Sequence, residues 1–300
     1  MSSGLHKHDS HLDKPRYNTI FAVGIGLNFA YVVVEAFYGW KINSLALIAD
    51  ASHNLSDVAG LLLAWAATFV ASLRPNMRHT FGWQKASIMA AFINAVLLLV
   101  AMGSLILESI QRLHSPEPMQ GLVVITVAGI GIAINTFTAL LFLKNQENDL
   151  NLKAAFLHMM ADALMSLGVV VAGVLYLYFE WDWLDPVLSL AISAIIIVSA
   201  LNLFKKTLHM MFNGVPDSIE LPKVYAYLKS MEGVTKVHDL HIWAMSTSDI
   251  ALTVQLIIPS WQHDDDFINQ IQDTLLEQFN ISHTTIQITR APISTSCFNY

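Results

Sequence analysis

Four residues carry the chemistry of this chain: His53 and Asp57, four positions apart, and His158 and Asp162, again four apart. On a helix that spacing sets both side chains of a pair on one face, one turn from each other. Two such helices facing each other would gather two imidazoles and two carboxylates, an N2O2 donor set suited to tetrahedral zinc. Each pair lies in a long apolar stretch, where ionisable groups are costly and need a reason. The competing reading, hydrogen-bonded packing pairs His53–Asp57 and His158–Asp162, leaves that cost without a purpose. Asp50 shares the face of His53 and Asp57. It is either a proton-carrying neighbour of the ligands or a solvated residue near the helix entrance.

The elements that must position these residues follow from composition. Of 300 residues, 54% are hydrophobic and 13% charged, against about 25% charged in an average soluble domain. That excludes a soluble globule and a disordered chain. A net charge of −7 has the wrong sign for gripping nucleic acid. The single cysteine, Cys297, excludes an internal disulfide framework and a cysteine-cluster metal site.

A bilayer-crossing helix needs about 20 apolar residues. Six stretches qualify: 17–39, 45–73, 86–110, 121–143, 154–179 and 184–204. An even count returns both termini to one side. Lys7, Lys14, Arg16, Arg74, Arg78, Lys85, Lys144, Lys153, Lys205 and Lys206 fall on that side, against Lys41 and Arg112 on the other, so both termini are expected in the cytoplasm. The polar leader, with His6, His8 and His11, lacks the apolar run of a signal peptide. Gly24 and Gly26, Gly129 and Gly131, and Gly168 and Gly173 are expected to allow close helix contacts.

Beyond Asn213-Gly214-Val215-Pro216 the pattern becomes that of a small acidic domain. A helix over 219–231, strands over 234–245 and 250–258, a second helix ending at Phe279 and a strand over 283–289 are expected. This α-β-β-α-β order suits a ferredoxin-like layer with both helices on one face of the sheet. The domain plan is a leader (1–16), six transmembrane helices (17–208), a cytosolic α+β dimerisation or regulatory domain (209–292) and a tail (293–300).

The stretch from Ser44 to Asp57, with Thr80-Phe81-Gly82-Trp83, Asn151 to His158 with Asp162, and Val237-His238-Asp239-Leu240-His241-Ile242-Trp243, resembles the cation diffusion facilitator family, and within it the bacterial zinc, cadmium and cobalt exporters. The resemblance implies a homodimeric metal–proton antiporter of the inner membrane, with zinc as transported substrate rather than fixed cofactor. It places the transport site at His53, Asp57, His158 and Asp162.

Two further sites known in relatives fit less well. In the loop before the third span, His79 is the lone candidate ligand, with Asn76 and Trp83 at the partner positions. In the cytosolic domain His238 and His283 match candidate positions, but Gln255 and Thr289 stand where ligands are expected. His241, His263, Asp264 and Cys297 could complete a different site.

Other polar groups in the spans (Asn28, Glu35, Asn94, Asn135) are candidates for lining a water path, while Glu108 and Asp185 are expected at the membrane interface. Metal binding needs neutral imidazoles and ionised carboxylates, so loading the site expels protons. Such a site exposed alternately to either face is a secondary antiporter. A membrane di-metal enzyme would need more carboxylates and a nucleophile, and a channel would be blocked by four enclosing ligands, so no enzymatic activity is expected.

Overall fold

The computed structural model describes residues 14–115, 117–143, 150–260 and 265–291. Six long helices come first: α1 (Lys14–Lys41), α2 (Leu45–Ala71), α3 (Ala86–His114), α4 (Gly121–Leu143), α5 (Leu150–Phe179) and α6 (Leu184–Met211). With 23 to 30 residues each, they are about 35–45 Å long. Among the described residues, α2 to α6 each contain a membrane-length apolar segment. Their outward faces carry large apolar side chains, such as Leu62, Trp65 and Phe69 on α2 and Val100 and Leu107 on α3. A surface of that kind is stable against lipid and not against water. This is a multi-pass helical membrane protein with a small α+β domain at its C-terminal end.

Helix ends depart from the apolar stretches where no breaker intervenes. α6 runs past Phe204 to Met211, so Lys205 and Lys206 lie within it rather than after it, and the helix crosses the expected domain boundary at 208. Its stop is Asn213, in the left-handed region at φ 59°, with the Gly214 amide closing on the His209 carbonyl. Asn43 after α1 and Asn280 after the helix Asp265–Phe279 end their helices in the same conformation.

The chain forms two compact units, 1–59 with 97–199 and 60–96 with 200–300. In the first, Leu45, Leu47, Met102, Val124, Ala128, Val169, Ile192 and Ile196 form the core. Close packing at glycine falls on Gly131, seated against Tyr31, and Gly173, seated against Ile125, while a Cβ at Gly26, Gly129 or Gly168 would meet nothing within 4 Å.

The start of α2 is fixed by a residue expected elsewhere. Asp185, at the first turn of α6, is buried rather than interfacial. Its carboxylate accepts from the Ser44 hydroxyl (2.5 Å), the Leu45 amide (2.8 Å) and the Ala46 amide (3.3 Å). Ser44 in turn accepts from the Leu47 amide at 3.4 Å. An anion thus meets the free N–H groups and positive dipole end of α2. Glu108, by contrast, is half exposed beside Arg112 (2.9 Å) as an interfacial residue should be, and Arg112 also binds Asn43 in the α1–α2 turn.

The second unit contains α7 (Leu221–Ser230), β1 (Lys236–Ala244), β2 (Ile250–Ile257), α8 (Asp265–Phe279) and β3 (His283–Thr289). The sheet order is β1-β2-β3, antiparallel between β1 and β2 and parallel between β2 and β3. Val224 and Leu228 of α7 and Phe267, Ile271 and Leu275 of α8 share one core with Val237, Ile242, Leu252 and Val254, so both helices cover the same face. The alternating residues of β2 are buried as expected, but so are Ala251, Gln255 and Ile257 on its other face. A central strand is screened by its neighbours on both sides, which alternation alone does not reveal. One extra residue in β1, between His238 and His241, makes a bulge with Asp239 at φ 51°. It turns both Val237 and Leu240 into the core.

Removing the anion that caps α2 should loosen the bundle. Asp185→Ala is expected to cost about 2 kcal/mol, read as a lower thermal unfolding temperature of the detergent-solubilised protein, with Asp185→Asn costing less. Unchanged melting in Asp185→Ala would show that the cap does not hold α2.

Candidate metal centre

Helices α2 and α5 meet antiparallel, as three levels of side-chain pairing show. Asp50 is opposite Ser166, His53 opposite Asp162, and Asp57 opposite His158. The two H-x-x-x-D rows therefore face each other, as their spacing predicts. Nε2 of His53 is 3.7 Å from an oxygen of Asp57 and 3.7 Å from one of Asp162. Nε2 of His158 is 3.0 Å from Asp57 and 3.7 Å from Asp162. Donor atoms 2.0–2.2 Å from a tetrahedral zinc lie about 3.3–3.6 Å from one another, close to these separations, although Asp57, near both imidazoles, stands outside the three residues whose donor atoms are all mutually close. The two imidazole rings stand nearly perpendicular, with centroids 5.9 Å apart. Among the described residues, His53, His158 and Asp162 form the one cluster of potential metal ligands, their donor atoms all within 4.8 Å.

The within-helix pairs are not hydrogen-bonded packing contacts, because 3.7 Å is beyond hydrogen-bond range. Asp162 is the decisive member. Its side chain is 1% exposed, and neither carboxylate oxygen meets a hydrogen-bond donor among the described residues. A buried carboxylate without donors is very costly unless a cation compensates it. Exposure grades across the site: Asp57 and His158 are 37% and 42% exposed, His53 15%. The cluster opens at the Asp57–His158 level and closes at the Asp162–Asp50 level.

Around it lies a buried polar shell. Asp50 is fully buried and accepts from Ser166 Oγ at 3.1 Å, which rules out the solvated placement. Glu35 is also fully buried, accepting from the Tyr31 hydroxyl at 2.7 Å and the Asn54 amide at 3.5 Å. Asn135, 1% exposed, is likewise enclosed among the helices. Asn28 donates to the Met159 sulfur at 3.4 Å. Ser166, Tyr31 and Asn54 did not stand out in the sequence. Ser166 follows Asp162 by four positions, one further turn of the same row, and that spacing is the signal that could have found it.

The remaining candidate ligands are dispersed. The His79 ring stacks on Trp83 at 4.1 Å, and its amide, with that of Arg78, donates to Asn76 Oδ1. The residues at the partner positions thus order the loop. In the small domain His238 is in register with Gln255, whose amide donates to Thr289 Oγ1 at 3.1 Å. A neutral amide–hydroxyl pair fills the place where ligands would converge. His241 is opposite Thr253 and bonds Asp239 at 2.8 Å, and His283 is at the far end of β3 opposite Ala251. The sheet does not bring these histidines together. His6, His8, His11, His263, Asp264 and Cys297 lie outside the described residues.

Comparison with known proteins agrees with this arrangement over nearly the whole chain. Residues 21–212 match the cation efflux transmembrane domain, and residues 216–291 match the cytoplasmic domain of cation efflux proteins. The zinc transporter ZitB of Escherichia coli is 32% identical over 290 residues, covering 96% of this chain and 92% of the relative. The cadmium, cobalt and zinc/H(+)-K(+) antiporter of Bacillus subtilis is 31% identical, covering 86% of this chain and 84% of the relative. The metal cation efflux system protein CzcD of Cupriavidus metallidurans is 31% identical, covering 90% and 86%. A chain matched along both its membrane and its C-terminal parts, with its facing His-Asp rows in place, belongs to the cation efflux family.

Proposed function

We propose that this protein exports zinc, and with it cadmium or cobalt, from the cytoplasm in exchange for protons by alternating access. The observation that carries the reading is Asp162, a buried carboxylate with no hydrogen-bond donor among the described residues, set between two imidazoles at 3.7 Å. Divalent metal is the cargo that fits. Two neutral imidazoles and two carboxylates match its charge and its preference for mixed nitrogen and oxygen donors. When the ion leaves, protons take its place on the same groups, because the apolar surroundings penalise uncompensated charge. Exchange of one for the other couples the two fluxes.

The reading extends to setting and assembly. The distribution of basic residues supports cytoplasmic termini, and the bacterial relatives suit an inner, plasma-membrane setting. The match of residues 216–291 to the family's cytoplasmic domain supports a homodimer, and a three-stranded sheet with open edges is suited to pairing. No nucleic acid partner is implied, and no catalytic role is assigned: the polar groups of the bundle serve ion and proton, not a substrate bond.

Asp57→Ala or Asp162→Ala should lower zinc flux into proteoliposomes at least about 100-fold, a larger loss than removal of a group supporting a ligand causes. Near-normal flux at matched protein level would remove the assignment. His53→Asp exchanges an imidazole for a harder oxygen donor and should shift preference from zinc toward manganese, which competition between the two metals would read; an unchanged profile would mean His53 is no ligand. The isolated fragment 217–292 should sediment as a dimer with or without zinc and bind zinc more weakly than the membrane site. A metal-free monomer, or tight stoichiometric zinc, would contradict that expectation.

A further inference from the structure

The ligand cluster leaves two buried carboxyls unused. Glu35 on α1 and Asp50 on α2 are both fully buried and within hydrogen-bonding reach of each other. Tyr31 and Asn54 donate to the two oxygens of Glu35, and Ser166 donates to Oδ2 of Asp50. Oδ1 of Asp50 meets no N–H or O–H donor among the described residues. Neither carboxyl is ion-paired with Lys or Arg among those residues. Two carboxyls side by side in an apolar bundle do not both carry charge; such a pair shares one proton.

The surroundings are built for this arrangement. The Tyr31 phenol that aims at Glu35 is seated on Gly131 of α4, where an added Cβ would collide with the phenol oxygen and Cζ. The ionisable groups facing the pair are Tyr31 from α1, His53 from α2 and Asp162 from α5; α4 has no ionisable residue. Along α2 and α5 the pair lies at the closed level of the metal cluster, opposite the exposed Asp57 and His158.

We propose that Glu35, paired with Asp50, is a proton-carrying site distinct from the four metal ligands, and that it moves a proton of its own in each transport cycle. This rests on the metal–proton exchange reading above. Metal enters at the open level, while the carboxyl pair holds its proton at the closed level. Release and reloading of that proton adds to the protons exchanged on the ligands.

The test uses the full chain in proteoliposomes, with zinc flux and internal pH recorded together, alongside zinc/zinc exchange, which moves no net proton. Glu35→Gln should retain zinc/zinc exchange while its proton-to-zinc ratio falls by about one, the number a shared pair holds. Glu35→Asp, which keeps the carboxyl, should hold the wild-type ratio. An unchanged ratio in Glu35→Gln would overturn the proposal. So would loss of zinc/zinc exchange in both Glu35→Gln and Asp50→Asn, since the pair would then be a packing element. Wild-type protein showing no zinc flux under an imposed pH gradient would instead strike the exchange reading itself.

Discussion

A carboxylate shut between apolar helices with no hydrogen-bond donor among the described residues is the constraint on which the rest of the bundle depends. Leaving Asp162 charged and alone would cost several kcal/mol in low dielectric. Its neighbours at 3.7 Å are imidazole nitrogens, too far to donate a hydrogen bond and well spaced to share an ion. The stability of the site is therefore tied to its occupant, whether metal or proton. A binding group that is content when empty would hold no such preference and would couple nothing.

Holding that arrangement is a problem of rigid placement. α2 contributes His53 and Asp57, and its start is fixed by the Asp185 carboxylate on the free amides of Leu45 and Ala46. α5 contributes His158 and Asp162 and is tied to α2 through the Ser166–Asp50 bond. The one hydrogen bond inside the ligand set, His158 to Asp57 at 3.0 Å, lies at its exposed level, where water competes and the bond is cheap to break. The buried level has none. Entry and exit thus disturb the weakly held pair first, while the costly pair stays enclosed.

Much of this was legible in the residues. The H-x-x-x-D rows gave the candidate ligands and their common face, because helical spacing is a local property. The bounds of α4 and β3 coincide with their sequence patterns for the same reason. Depth and long-range pairing were not legible. A helical face says in which direction Asp50 points but not that Ser166, 116 positions away, will seal it. Asp185 near a span end looks interfacial until the amides it caps, some 140 positions earlier, are placed beside it. Of the glycines, Gly131 and Gly173 alone among the paired positions with described side chains meet a close neighbour, since a small residue permits contact without requiring it. In the small domain the bulge at Asp239 decided which side chains of β1 enter the core, and no alternation pattern carries that shift.

The account predicts one ion held by two nitrogens and two oxygens, and zinc K-edge X-ray absorption of the full chain loaded with one zinc reads those donors directly. The expected result is a four-coordinate site with donors at about 2.0–2.1 Å, two of them imidazole, lost in Asp162→Asn. A six-coordinate all-oxygen site, a sulfur donor, or a spectrum unaltered by Asp162→Asn would contradict it.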